Sequence, residues 1–202
     1  MSSTQPNIVL FFTDQLRADA LGCYGNQICM TPNIDRLAGD GVIFNNAYRT
    51  SPVCSASRSS LMTGLYPHNH GVMLNTHIAP AWSRGLDRQV PVFSNILKNS
   101  GYFLDYVGKW HVHQDIRPEE YGFDIYQSQS EIQLKNQHIG RESGKLVEGS
   151  GSFIEFPYGS KVCVAGTMSG PKENYPAWQV VEAGIEMIQE NAKRKKPFFT
   201  RI

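Results

Sequence analysis

Ser51-Pro52-Val53-Cys54-Ser55-Ala56-Ser57-Arg58-Ser59-Ser60-Leu61-Met62-Thr63-Gly64 is the stretch around which the rest of the chain is read. Pro52 stiffens the approach, and Cys54 and the serines fall where a helix begins. Leu61 and Met62 supply apolar contacts, and Gly64 ends the helix by turning left-handed. A helix N-terminus presents unbonded backbone N–H groups and a partial positive charge. Arg58 lies one turn beyond Cys54 on the same face and adds a fixed cation. The spacing reads as a nucleophile beside an anion-binding site. The bland alternative is a small-residue turn with an inert buried cysteine.

Upstream, Asn7-Ile8-Val9-Leu10-Phe11-Phe12-Thr13-Asp14-Gln15 is a continuous apolar run that ends polar. Continuity rather than alternation predicts a central strand covered on both faces, as in a parallel sheet. In such sheets ligands bind beyond the carboxyl ends of strands, where Asp14 and Gln15 fall. Their oxygens suit a hard cation such as Ca²⁺ or Mg²⁺. An Asp at that place also serves as an ordinary cap or turn residue. Thr31-Pro32-Asn33-Ile34-Asp35-Arg36-Leu37-Ala38 predicts a helix. Thr31 is the N-cap, Pro32 the first helical residue, Ile34, Leu37 and Ala38 the buried stripe, and Gly39 or Gly41 the stop. Val42-Ile43-Phe44-Asn45-Asn46-Ala47-Tyr48 reads as a short strand. Strand, helix, strand and nucleophile helix then make a compact α/β unit.

Downstream, Leu65-Tyr66-Pro67-His68-Asn69-His70-Gly71-Val72 reads as a loop with solvated histidines rather than metal ligands. Asn75 and His77 are candidate substrate-binding residues facing the same crevice. Residues 79–89 read as a surface loop carrying Trp82, Arg84 and Arg88. A helix is expected over 90–100, with Val92, Phe93, Ile96 and Leu97 as its apolar residues. A strand over 102–108 delivers Lys109-Trp110-His111 at its carboxyl end. Lys109 can neutralise an anionic oxygen and His111 can move a proton near neutral pH. An exposed lysine and a packed histidine are the structural alternative. Residues 125–175, poor in periodicity, read as a loop-rich insertion with short strands at 151–158 and 161–165. Residues 176–190 make an amphipathic helix, with Trp178, Val181, Ile185 and Ile188 inward and Glu182, Glu186 and Glu190 outward. Pro197-Phe198-Phe199-Thr200-Arg201-Ile202 starts a core strand.

The chain has 202 residues and a formal net charge of +1. That length suits one domain with a sizeable core. The near-zero charge supplies no electrostatic case for nucleic acid or a membrane surface. The longest apolar run, 8–12, is too short to span a bilayer. It has neither a basic region before it nor a cleavage site after it, so no signal peptide and a cytoplasmic location are expected. Cys23, Cys29, Cys54 and Cys163 form no CxxC pair and are expected to be reduced.

Cys54-x-Ala56-x-Arg58 followed by Leu61-Met62-Thr63-Gly64 resembles the Cys-x-Pro/Ala-x-Arg motif of the sulfatase family. In that family the cysteine is oxidised after synthesis to formylglycine, an aldehyde. Ala56 stands where most members carry proline. Gly101-Tyr102 through Val107-Gly108-Lys109-Trp110-His111 is similar to the second motif, which ends Gly-Lys-x-His. Leu104 departs from its usual Ser or Thr. Pro6-Asn7-Ile8-Val9 with Asp14-Gln15, Thr31-Pro32-Asn33-Ile34-Asp35-Arg36-Leu37, and Tyr121-Gly122-Phe123-Asp124 match as well, in the family's order, over residues 6–124.

The resemblance implies an alkaline-phosphatase-like α/β fold: a mixed, largely parallel sheet flanked by helices. Residues 1–202 would be the N-terminal part of the catalytic domain. The chain is expected to stop within that domain, with further metal ligands, another His and another Lys beyond residue 202. The implied reaction is sulfate-monoester hydrolysis. Cys54, as formylglycine, would be nucleophile and metal ligand, and Asp14 would bind Ca²⁺ or Mg²⁺. Gln15 stands where many members have a second Asp, and its amide oxygen can still ligate. Arg58 would hold the formylglycine hydrate, Lys109 a sulfate oxygen and His111 a formylglycine hydroxyl. A hydrated aldehyde keeps a second hydroxyl after sulfation, and its deprotonation expels sulfate and restores the aldehyde. Expected partners are a small-molecule or carbohydrate sulfate ester and the formylglycine-generating enzyme, with oligomeric state unassigned. Two other readings stand beside this one. One is a phosphonate monoester or phosphodiester hydrolase of the same superfamily, against which Lys109 argues. The other is a non-catalytic fragment in which Cys54 stays unmodified.

Overall fold

Four short runs, at 8–10, 103–107, 125–127 and 198–201, pair in parallel in the computed structural model of the chain. It describes residues 5–78, 83–136, 146–155, 157, 159 and 161–202, without the side chains of 162–165. In chain order the elements are β1 (Ile8–Leu10), α1 (Pro32–Asp40), α2 (Cys54–Thr63), α3 (Pro67–His70), α4 (Phe93–Asn99), β2 (Phe103–Val107), β3 (Ile125–Gln127), α5 (Gln129–Lys135), β4 (Ser152–Glu155), β5 (Lys161–Ala165), α6 (Pro176–Ala192) and β6 (Phe198–Arg201). They fall into two units. One comprises Met1–Leu10, Ser94–Trp110 and Arg117–Ile202, the other Phe11–Phe93 and His111–Ile116.

The first unit holds the sheet, ordered β1-β6-β2-β3. Phe103 pairs with Phe198 and Tyr106 with Arg201 across β2 and β6, and Asp105 pairs with Ile125 across β2 and β3. The period of two sorts the side chains. Val107 packs with Ile132 of α5 and Met187 of α6, and Ile125, Val180 and Ala183 close over them. Each fully buried aliphatic side chain there contributes about 1.5–3 kcal/mol. Leu104 and Tyr106 alternate with Asp105 and Val107, and Tyr106 meets Trp110, Phe123 and Tyr126 edge-on, with centroids 5.1, 5.3 and 5.6 Å away. Gly184 lets α6 approach the chain's last residue, because a Cβ there would lie 2.6 Å from Ile202 Cδ1.

Within this unit the structure corrects four readings. β1 is shorter than the run predicted for it, three residues paired with β6, with Val9 47% exposed, while every residue of β6 is buried between β1 and β2. The apolar run at 8–12 is longer than the strand it feeds. The buried face of α6 is Gln179, Gly184, Met187 and Asn191, and Ile185 is exposed. The small Gly184 and the polar Asn191 are drawn inward by close packing and a hydrogen bond that hydrophobicity does not encode. Residues 125–135 belong to the core rather than to an insertion. β3 extends the sheet and α5 packs beside it. A capping box starts α5: Ser128 Oγ accepts from Glu131 N–H (3.2 Å), and Glu131 accepts from Ser128 N–H (2.7 Å). That Ser-x-x-Glu pattern was available in the sequence. α4 begins at Phe93, later than expected. Further along, β4 and β5 form an antiparallel pair.

In the second unit α1 runs from Pro32 with Thr31 as N-cap and Gly41 after its end. Its expected stripe is not buried: Leu37 is 72% exposed. The inward side is polar instead. Asp35 accepts from Cys23 N–H (2.7 Å) and from Thr31 O–H (2.9 Å). Residues 42–48 form no strand. Asn45 and Asn46 make a turn, and Val42, Phe44 and Tyr48 point outward. Two adjacent asparagines favour a turn over a ladder, and that overrides the apolar flanks. Residues 67–70, expected as loop, form the single turn α3, with Pro67 at its start and left-handed Gly71 at its end. Residues 79–82 of the expected surface loop, and the side chain of Cys163, lie outside the described residues.

Candidate functional site

α2 starts at Cys54 and ends where Gly64, at φ 71°, returns its N–H to Ser60 O. Val53 is the N-cap and offers no side-chain acceptor. The vacancy is filled from a distance: Asn75 Oδ1 accepts from Ser55 N–H at 3.1 Å, and Ser55 Oγ accepts from Thr76 N–H at 3.3 Å. Asn75, expected from sequence to face the substrate crevice, also caps the nucleophile helix through Oδ1. The same two bonds pin 75–76 to the helix start.

Arg58 is buried, with its guanidinium 5.2 Å from the centroid of the Phe12 ring and 3.5 Å from Asp14 Oδ1. Cys54 Sγ lies 3.9 Å from the same Asp14 oxygen. One carboxylate oxygen thus faces both members of the Cys54/Arg58 pair, which the helix turn stacks on one face. Gln15 follows on an exposed bend with φ 57°. The arrangement holds a thiol, a carboxylate and a buried cation at a helix N-terminus, a setting for an anion and for a hard cation.

His111 is the second non-glycine residue with left-handed backbone, at φ 56°. Residues after it form a strap along 84–86: Leu86 N–H donates to Val112 O (3.1 Å), Gln114 N–H to Arg84 O (2.9 Å), and Gly85 bridges His113. Arg84 and Asp115 add a two-pronged ion pair, both bonds 2.7 Å. Gly85 is required there, since a Cβ would lie 2.4 Å from His113 Cα. The strap turns His111 onto His77, with His111 Nε2 2.5 Å from His77 Nδ1.

His70 is not solvated. It is buried, its Nδ1 accepts from Val72 N–H (3.2 Å) and its Nε2 meets Ser60 Oγ (2.9 Å). Burial lowers its pKa, so it is a neutral strut under α2. His68 stacks on Tyr66, 5.9 Å between centroids.

Lys109 belongs to the sheet unit, in the turn after β2. Its backbone is held by Tyr106 O–H (2.8 Å) and by Arg201 Nη1 (3.2 Å), both donating to the Lys109 carbonyl. Arg201 also donates to Val107 O and lies 4.3 Å over the Tyr106 ring. Sequence reading missed Arg201 as the brace of the Lys109 turn. An arginine inside a buried strand was the available signal, because a buried cation needs several acceptors. Asp14, Cys54, Arg58, Asn75, His77 and His111 thus share one unit, and Lys109 is carried by the other.

A family model described as Sulfatase matches residues 6–202. An N-acetylgalactosamine-6-O-sulfatase of Bacteroides thetaiotaomicron is 45% identical over 112 residues, 55% of this chain and 21% of that protein. The N-acetylgalactosamine-6-sulfatase of Rattus norvegicus is 36% identical over 212 residues, 96% of this chain and 38% of that protein. Among solved structures, that of Ps i-CgsB in complex with k-i-k-neocarrahexaose superposes with a TM-score of 0.70 at 27% identity, over 98% of this chain and 44% of that one. The phosphonate monoester hydrolase of Agrobacterium radiobacter shares the fold at TM-score 0.65 and 21% identity, over 98% of this chain and 40% of that one. The chain therefore spans less than half the length of these proteins.

Proposed function

Because this chain belongs to the sulfatase family, we propose that it is the N-terminal portion of a sulfuric-ester hydrolase acting on sulfated carbohydrate. Cys54, converted to formylglycine by the generating enzyme, is its nucleophile, and Ca²⁺ is its metal. The observation that carries the reading is the convergence of Asp14, Cys54 and Arg58 at the start of α2. A carbohydrate ester is favoured by the relatives named for N-acetylgalactosamine 6-sulfates.

The donor chemistry fits a hard cation in part. Asp14 and Gln15 offer oxygens, and Cys54 in its formylglycine form offers one more. Among the described residues no group of three or more His, Cys, Asp and Glu gathers to hold a metal, so these residues make one side of a site. The cation, when bound, would offset negative charge on the sulfate group. Arg58 fixes a positive charge one turn from the nucleophile, where charge develops during attack on sulfur. Its burial between Phe12 and Asp14 strengthens that field, because little water screens it. The start of α2 adds the partial positive charge of a helix N-terminus beside them. His111 exchanges a proton with a formylglycine hydroxyl, and Lys109 binds a sulfate oxygen in the completed site.

Mass spectrometry of tryptic peptide 50–58 from protein made in its native host tests the reading, together with turnover of an aryl sulfate against a phosphonate monoester. Formylglycine at 54 and preference for the sulfate are expected. An unmodified cysteine, or preference for the phosphonate, refutes the proposal.

A further inference from the structure

The two left-handed non-glycine residues among the described positions are Gln15 and His111, both in the candidate site. Such backbone costs about 1–2 kcal/mol and persists where the surroundings over-determine it. For His111 the surroundings are the strap against 84–86 and the side chain of Gln114, which donates to the Thr76 carbonyl. Thr76 is itself tied to Ser55 on α2. His111 and His77 are thus each anchored by neighbours bonded to the same framework. Their rings meet with centroids 4.4 Å apart, tilted by 42°.

Two imidazole nitrogens 2.5 Å apart cannot both carry a proton toward each other, and two bare lone pairs would repel. One ring donates and the other accepts. No third metal-ligating side chain gathers with them among the described residues. We propose that His77 is a positioning residue for His111, which holds the ring in one orientation and one tautomer through an N–H···N bond. The consequence for turnover rests on the sulfatase reading; the bond itself does not. Asn75 caps the nucleophile helix and His77, two residues on, orients the proton-transfer residue, so a single short segment sets both.

The test is nitrogen-15 NMR of the histidine side chains in the folded chain at low temperature. A scalar coupling between His77 Nδ1 and His111 Nε2, with neutral His111 as a single tautomer, is expected. Absence of the coupling in the unsubstituted protein, with mixed tautomers, overturns the proposal. His77 is exposed, so its replacement leaves the core intact. His77→Ala should release His111 into a tautomer mixture. His77→Asn, whose amide reaches the position of Nδ1, should restore the single form. On a sulfate ester, His77→Ala should lower kcat on the order of tenfold with KM little changed, and His77→Asn should recover most of it. An unchanged kcat in His77→Ala overturns the positioning role even where the coupling is seen. Failure of every variant and of the parent to cleave sulfate refutes the sulfatase reading instead and leaves the NMR result to decide the pair.

Discussion

Replacing Asp105 by asparagine should change how stability depends on pH. Asp105 sits on β2, fully buried, where Asn191 donates to Oδ2 and Thr200 O–H donates to it at 3.5 Å. Its other oxygen, Oδ1, has no partner. Burial pushes the carboxyl up from the ordinary 3.8 to about 6, against the pull of the Asn191 bond and the Arg194 cation, and Asp124 adds repulsion. The folded chain therefore holds this proton more tightly than the unfolded chain. The stabilisation is complete below the unfolded value and is lost as pH rises through about 6. A shift of roughly two units is worth about 3 kcal/mol, at about 1.4 kcal/mol per unit. Asp105→Asn removes that dependence and keeps an oxygen for Asn191. Its new amide N–H lacks an acceptor where Oδ1 stood, as does the O–H of the protonated parent, so that deficit largely cancels at low pH. Relative to the parent, the variant should gain about 2–3 kcal/mol of stability between pH 4 and pH 8. Urea unfolding of both proteins at several pH values measures the difference, in which other titrating groups cancel. A difference that stays flat within about 0.5 kcal/mol from pH 4 to 8 would sink the account, because the buried carboxyl would then not be the titrating group.

Gly85→Ala forces a Cβ against His113 and should destabilise the strap on the order of 2 kcal/mol; unchanged unfolding and unchanged His111 chemical shifts would contradict it. Ser128→Ala removes the α5 capping box and should cost about 1 kcal/mol near neutral pH, read by denaturant titration. The Ser128 N–H, which the variant keeps, and the Ser128 O–H, which it loses, both donate to the Glu131 carboxylate and hold it below its usual range, so the part of the cost carried by the O–H bond should fade as pH falls through that range, and a cost independent of pH would argue against it. Asp14→Asn should weaken Ca²⁺ binding on the order of tenfold in calorimetry of the mature enzyme, and equal affinity would remove Asp14 from the ligand set.

Much of the helical grammar was legible locally. Pro52, Cys54 and Gly64 mark where α2 starts and stops, because helix ends depend on backbone groups within four residues. Thr31-Pro32 marked α1 for the same reason. The Lys109-Trp110-His111 turn was legible as a strand end. Sheet order was not: nothing in the apolar runs at 8–12 and 198–199 says that β1 and β2 both pair with β6. Hydrophobicity reports burial without naming the neighbour.

The sequence by itself determined the local signals: the motif residues, the glycine that closes α2 and the Ser-x-x-Glu pattern of the capping box at Ser128. Tertiary structure alone decided that Asn75 caps α2, that His77 meets His111, that Arg201 braces the Lys109 carbonyl, and that Asp105 is buried against Asn191. Each of these pairs residues 20 to 92 positions apart. Their geometry depends on how the chain closes on itself. Short-range spacing rules carry helix periods and turn conformations, and they hold no record of which distant polar group will arrive to satisfy a buried donor.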